Sequence, residues 1–127
     1  MRWMTILSAG RMTLLGASLG LGESEVAGVE IFFAADGSYA GFDEAGPLAQ
    51  AGGKRRWIES SGRDLPRPIA LVGDGATDLE ARPAVDAFIA FTGVVRRTSV
   101  AEGADFVIEG ESLDPLLPLV LQTTEAG

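Results

Sequence analysis

A chain of 127 residues, 46% hydrophobic and 22% charged, has the size and make-up of one small globular domain. A formal net charge of −8 argues against nucleic acid, because a polyanion needs clustered Lys and Arg, and only Lys54-Arg55-Arg56 and Arg96-Arg97 cluster. With no cysteine and no histidine, disulfides and His- or Cys-ligated zinc or iron are excluded; acid–base work falls to Asp, Glu, Lys, Ser or Thr, and an oxygen-ligated metal favours magnesium.

The N-terminal stretch from Met1 to Leu21 is apolar and carries Arg2 and Arg11, as a signal peptide would. Ser8 and Arg11 interrupt the run, and Ala-Gly-Val after Val26 is a poor cleavage site. The stretch therefore reads as folded domain, and the protein as cytoplasmic. No run of about 18 apolar residues exists, so no membrane span is expected.

Trp3 to Leu7 predicts a buried strand, and Ser8-Ala9-Gly10 a tight turn. Arg11 to Leu19 has helical spacing, with Leu14, Leu15 and Leu19 on one side and Gly20 and Gly22 as the stop. Val29 to Ala34 and Ser38 to Phe42 flank Asp36-Gly37, a hairpin signal in which both turn residues are expected at positive φ. Pro47 to Gly53 reads as a loop entering a helix from Lys54 to Ser60, and Gly62 to Pro68 as a second loop.

The remainder alternates. Strands are predicted at Ile69 to Val72, Asp86 to Phe91 and Ala104 to Ile108. Helices are predicted at Thr77 to Ala81, Val95 to Glu102 and Ser112 to Leu121, the last with Pro115 near its start. Strands spaced by short helices imply βαβ crossovers and a mostly parallel sheet covered on both faces, an α/β fold. No internal repeat or domain linker interrupts residues 1–127, which read as one domain.

The sharpest chemical feature is Ile69-Ala70-Leu71-Val72-Gly73-Asp74-Gly75-Ala76-Thr77-Asp78. A hydrophobic strand runs into a glycine-flanked aspartate, and a second aspartate follows four residues later. In open α/β sheets, ligands collect at the carboxyl ends of strands. Asp74 projects there and Asp78 falls in the first turn of the next helix. Two such carboxylates can hold one Mg²⁺, directly or through water. The plain alternative makes Asp74 a turn residue and Asp78 a helix N-terminal acid.

The string Val72 to Ala81 resembles the fourth motif of the haloacid-dehalogenase-like phosphatases, and Gly-Asp-Gly-Ala-Thr-Asp resembles their phosphoserine phosphatase branch. Ala87 to Phe91 with Gly93 and Arg96-Arg97 is similar to that branch's next strand and loop. Tyr39 to Glu44 followed by Gly52-Gly53-Lys54 is similar to its hairpin and lysine motif. The resemblance runs from about Thr5 to Leu121. It implies a three-layer, Rossmann-like sheet with a β-hairpin, and Mg²⁺-dependent hydrolysis of O-phosphoserine in L-serine biosynthesis.

Carried over residue by residue, the resemblance gives Lys54 the neutralisation of phosphate charge. It makes Asp74 and Asp78 metal ligands, with Asp78 also in the catalytic set. Ser8 and Ala9 resemble the phosphate-binding strand end, where Ala9 replaces a usual glycine. Arg11 is the shifted candidate for binding the substrate carboxylate, and Thr77 lies near substrate and metal. The plain alternatives are a solvated first-turn lysine for Lys54 and helix N-caps for Ser8 and Thr77.

The resemblance also marks a gap. The branch's nucleophile lies in an Asp-x-Asp motif on its first strand, and this sequence contains no Asp-x-Asp. The nucleophile, two magnesium ligands, a central strand and most of the cap are therefore expected to be missing. Three readings follow: an enzyme in a longer or complemented form, a non-catalytic Mg²⁺- and phosphate-binding remnant, or half of a two-chain assembly. Expected partners are phosphoserine, a chain supplying the N-terminal half or a second copy in a homodimer, and neither nucleic acid nor membrane.

Overall fold

The computed structural model describes residues 5–8, 17, 18, 20, 22 and 26–126, with the backbone alone for 5–8, 26 and 122–126. The chain divides into two compact units, Met1–Ala51 and Gly52–Gly127.

In the first unit, β1 (Thr5–Ser8) pairs in parallel with β2 (Val26–Val29), Thr5 opposite Val26 and Ser8 opposite Val29. The predicted helix of residues 11–19 lies outside the described residues, except that Ala17 and Ser18 are helical. Gly20 follows them at φ +79°, donating to the Ala17 carbonyl at 3.1 Å, a left-handed stop that suits glycine.

The hairpin forms from β3 (Ile31–Phe33) and β4 (Tyr39–Phe42), antiparallel. Two expectations are corrected. Val29 belongs to β2 rather than to the hairpin, since its ladder partner is Ser8. Asp36 does not take positive φ; only Gly37 does, at +87°. The Gly37 amide donates to the Ala34 carbonyl at 2.9 Å, and the Ala34 amide to the Ser38 carbonyl at 2.8 Å. That pattern is a type I turn closed by a left-handed glycine, which needs one positive φ rather than two. Asp36 Oδ1 accepts from the Ser38 amide at 2.9 Å and from the Ser38 hydroxyl at 2.6 Å. These two bonds, the hydroxyl first, hold the Asp36 carboxyl below the ordinary aspartate range. No residue of this unit is buried among those described.

The second unit holds the core. β5 (Ala70–Gly73), β6 (Ala87–Phe91) and β7 (Phe106–Ile108) form a parallel sheet in the order β5-β6-β7. α1 (Gly53–Ser60) precedes it, α2 (Ala76–Glu80) and α3 (Thr98–Gly103) make the crossovers, and α4 (Leu116–Ala126) follows β7. Single 3₁₀ turns cover Pro47–Ala49 and Arg82–Ala84.

Alternation along β6 divides the core between two faces. Phe88 and Ala90 pack with Leu71, Leu79, Val100 and Ala104, under α2 and α3. Beside them, Ile58 of α1 packs with Leu71, Ala81 and Ala84. Ile89 points the other way, onto Ile108 and onto Leu116 and Val120 of α4. The unit is thus three layers, helix on sheet on helix, as an all-apolar Ala-Phe-Ile-Ala-Phe strand requires when both of its faces are covered. Phe88 and Ile89 are fully buried, each contributing about 1.5–3 kcal/mol of hydrophobic burial.

Boundaries shift by more than one residue at two helices. α3 begins at Thr98, three residues after the predicted Val95, because Val94 and Val95 are exposed in a loop and Arg97 is the N-cap. α4 begins at Leu116 rather than Ser112. Pro115 disfavours helical conformation in the residue before it, and Pro118 is tolerated because it lies in the first turn. Among the described residues no helix is long and apolar enough to cross a membrane.

Candidate phosphate and metal site

Parallel β5 and β6 end at the same edge of the sheet, and the site is built there from β5, α1, α2 and α3. Asp74 is the first residue past β5. Gly75, in extended conformation, is the N-cap of α2, so Asp78 falls three residues into the helix. From that position its carboxylate reaches back over the turn. Oδ2 accepts from the amide of Gly75 at 3.0 Å and from the amide of Asp74 at 3.2 Å. Oδ1 receives the Nζ of Lys54 in an ion pair. Asp78 is 5% exposed, and this set of donors offsets the cost of removing a carboxylate from water.

Gly73 is required by that packing. A Cβ there would lie 2.2 Å from Asp78 Cγ, closer than any side chain allows. The Gly-Asp-Gly string thus reads mechanistically: the first glycine makes room for Asp78 and the second begins the helix.

Lys54 is held by a glycine of another kind. Gly52 is the N-cap of α1 at φ +68°, a left-handed conformation, and Gly53 beside it is buried. A lysine in the first turn opposes the helix dipole. Its orientation toward Asp78, with the side chain 23% exposed, is what sets it apart from Arg55, which lies on the exposed face and pairs with Glu59.

Asp74 differs from Asp78. Its carboxylate is half exposed and receives no hydrogen bond among the described residues; its nearest cation is Arg97, at 3.8 Å. Arg97 Nη1 instead donates to the Asp74 backbone carbonyl at 3.0 Å. Thr77 is exposed in the first turn of α2 and is not its N-cap, since Gly75 is.

Lys54, Asp74 and Asp78 therefore meet at one edge, with Thr77 beside them. Ser8 ends β1 in the other unit, where the description covers its backbone. Ala9 and Arg11 lie outside the described residues. Among the described residues no group of three or more carboxylates gathers as a metal cage. The donors available to a cation are the open carboxylate of Asp74 and, at one remove, Asp78, whose two oxygens are engaged. A hard cation that keeps most of its waters and shares a substrate phosphate fits such a sparse oxygen set. The sequence placed Arg97 in the loop after the β6 strand but gave it no role at the site. Its contact joins residues 23 apart through the tertiary fold, which no local pattern shows.

No family model matches the chain. The phosphoserine phosphatase of Bos taurus is 40% identical over 95 residues, which take in 74% of this chain and 42% of that protein. The chloroplastic phosphoserine phosphatase of Arabidopsis thaliana is 39% identical over 94 residues, covering 71% of this chain and 32% of the relative. The matched stretch is thus less than half of these relatives' length. Among solved structures, a phosphoserine phosphohydrolase-like protein from Francisella tularensis subsp. tularensis SCHU S4 superposes with a TM-score of 0.70 at 19% identity, over 90% of this chain and 51% of that one. A phosphoserine phosphatase in apo form gives 0.67 at 24%, over 88% and 56%. At those identities the structures speak for the fold, and the curated relatives carry the sequence kinship. This chain is thus similar in sequence to part of the phosphoserine phosphatases, and similar in fold to the solved structures of a phosphoserine phosphatase and a phosphoserine phosphohydrolase-like protein.

Proposed function

We propose that residues 1–127 are the C-terminal part of a phosphoserine phosphatase-like domain, and that they supply the lysine and motif-four half of its phosphate site. The substrate is O-phosphoserine or a similar small phosphomonoester, hydrolysed with Mg²⁺ in L-serine biosynthesis, in the cytoplasm. The observation that carries the reading is the Lys54–Asp78 pair, partly buried against the Asp74-Gly75 turn at the carboxyl edge of the sheet. The 40% identity to curated relatives supports it.

In this reading Lys54 neutralises phosphoryl oxygens, which phosphoryl transfer demands more than covalent help. Asp78 aims Lys54 and braces the turn. Asp74 offers its open carboxylate to the cation, with Asp78 behind it as a positioning group. Thr77 faces the same edge as a hydroxyl donor to phosphate. Ser8 and Ala9 would bind phosphate and Arg11 the substrate carboxylate, as the resemblance implies. Magnesium, when bound, neutralises charge developing on the phosphoryl group.

These residues include no Asp-x-Asp nucleophile, and the groups present do not replace one. The pure 127-residue chain is expected to release phosphate from phosphoserine negligibly, while still binding Mg²⁺ and inorganic phosphate. Phosphate release is expected once a segment carrying Asp-x-Asp is supplied, on the same chain or a partner, and Lys54→Met is expected to lower it by about 10²-fold or more. Robust Mg²⁺-dependent release by the pure chain would overturn the inactivity. Absence of any calorimetric response to Mg²⁺ or phosphate would overturn the site. The second reading, a binding remnant, is favoured by the same missing nucleophile and is distinguished by binding that no added segment converts to turnover.

A further inference from the structure

We propose that Arg97 is a positioning residue for Asp74, aiming its carboxylate at the cation; the proposal rests on the reading of Asp74 as a magnesium ligand. The peptide groups on either side of the Asp74 Cα are both pinned by side chains from other turns. On one side, the Asp74 amide donates to Asp78 Oδ2 at 3.2 Å. On the other, the Asp74 carbonyl accepts from Arg97 Nη1 at 3.0 Å. Fixing both peptides fixes the direction of the Cα–Cβ bond between them, and so where the carboxylate points.

Arg97 is well placed to act as a brace. Its own carbonyl accepts the amides of Val100 at 3.1 Å and Ala101 at 3.0 Å, so its backbone is part of the first turn of α3. Val100 is buried against Phe88 and Ala90 in the core. The neighbouring Arg96 pairs with Glu109 at 2.8 Å. The contact is also selective. Nη1 is 3.8 Å from the Asp74 carboxylate, beyond hydrogen-bond distance, and 3.0 Å from the carbonyl. Arg97 thus holds the residue while leaving its ligating oxygens open. A half-exposed ion pair at that separation contributes little, so loss of the brace outweighs relief of a competing positive charge.

The test uses the full 127-residue chain with Mg²⁺ alone as the titrant, and amide hydrogen exchange alongside. Arg97→Ala is expected to weaken Mg²⁺ binding roughly three- to tenfold, the worth of one charge-assisted hydrogen bond at a partly exposed site. Exchange at the Asp74 and Gly75 amides is expected to accelerate. Arg97→Lys, which keeps a long donor, recovers most of both effects, and Arg55→Ala changes neither. Unchanged or tighter Mg²⁺ binding in Arg97→Ala overturns the proposal, since a competing cation predicts tighter binding. If the unsubstituted chain binds no Mg²⁺, the magnesium reading falls by itself. Exchange then decides whether Arg97 holds Asp74: acceleration supports the brace, and unaltered exchange overturns it.

Discussion

Asp78 is the residue on which the site depends, because its two oxygens join an amide turn on one side and a cation on the other. Gly73 is its steric counterpart. Gly73→Ala is expected to destabilise the chain by about 1–3 kcal/mol, as overpacking a tight contact does. A lowered denaturation midpoint together with loss of the Lys54–Asp78 contact, read by NMR, is the expected outcome; an unchanged midpoint would count against the packing described. At this scale the strand-end turn that carries Asp74 and Asp78, and the glycine-led helix that carries Lys54, were legible. Glycine beside a strand-end acid, and glycine before a first-turn lysine, are local departures from ordinary helix and strand preference. Arg97 was not legible, because its acceptor is a backbone oxygen that any residue at position 74 would supply.

Among the elements, the hairpin carries a pH dependence. Asp36 is held below its ordinary range by Ser38, so its contribution to hairpin order is complete above the unfolded-state pKa of an aspartate. That contribution is lost as pH falls through the lower, folded-state value. NMR titration of the Asp36 carboxyl should give a midpoint below that of an unstructured aspartate. Ser38→Ala should return it toward the ordinary value, and an ordinary midpoint in the unsubstituted chain would contradict the turn geometry. The sequence signalled a hairpin here correctly and its turn type wrongly, since Asp-Gly serves two turn families and the choice depends on the register of flanking residues. β2 was hidden for a related reason: four residues beside Glu30 and running on into the hairpin do not separate themselves by pattern. The later strands and helices were readable because each apolar run is long enough for its period and is bounded by glycine or proline.

For the molecule as a whole, the buried residues described lie in the second unit, and β6 is flanked by a strand on each side and a helix layer on each face. Native-state hydrogen exchange should therefore find its most protected amides in Phe88, Ile89 and Ala90 and much weaker protection in β3 and β4. Equal protection in the hairpin would contradict that assignment. The alternation of strand and helix made this α/β architecture legible from sequence. The division into two units was not, since no linker composition marks residues 51 and 52.

The contact between Gly73 and Asp78 also couples the two positions as the sequence changes. While Asp78 is present, position 73 admits no side chain, because the first carbon beyond the backbone would overlap a carboxylate. Shortening residue 78 to alanine does not lift the barrier, because a Cβ at 73 would also lie 2.5 Å from the Cβ of residue 78. The two positions are therefore not independent, and the effects of substituting them are not expected to add.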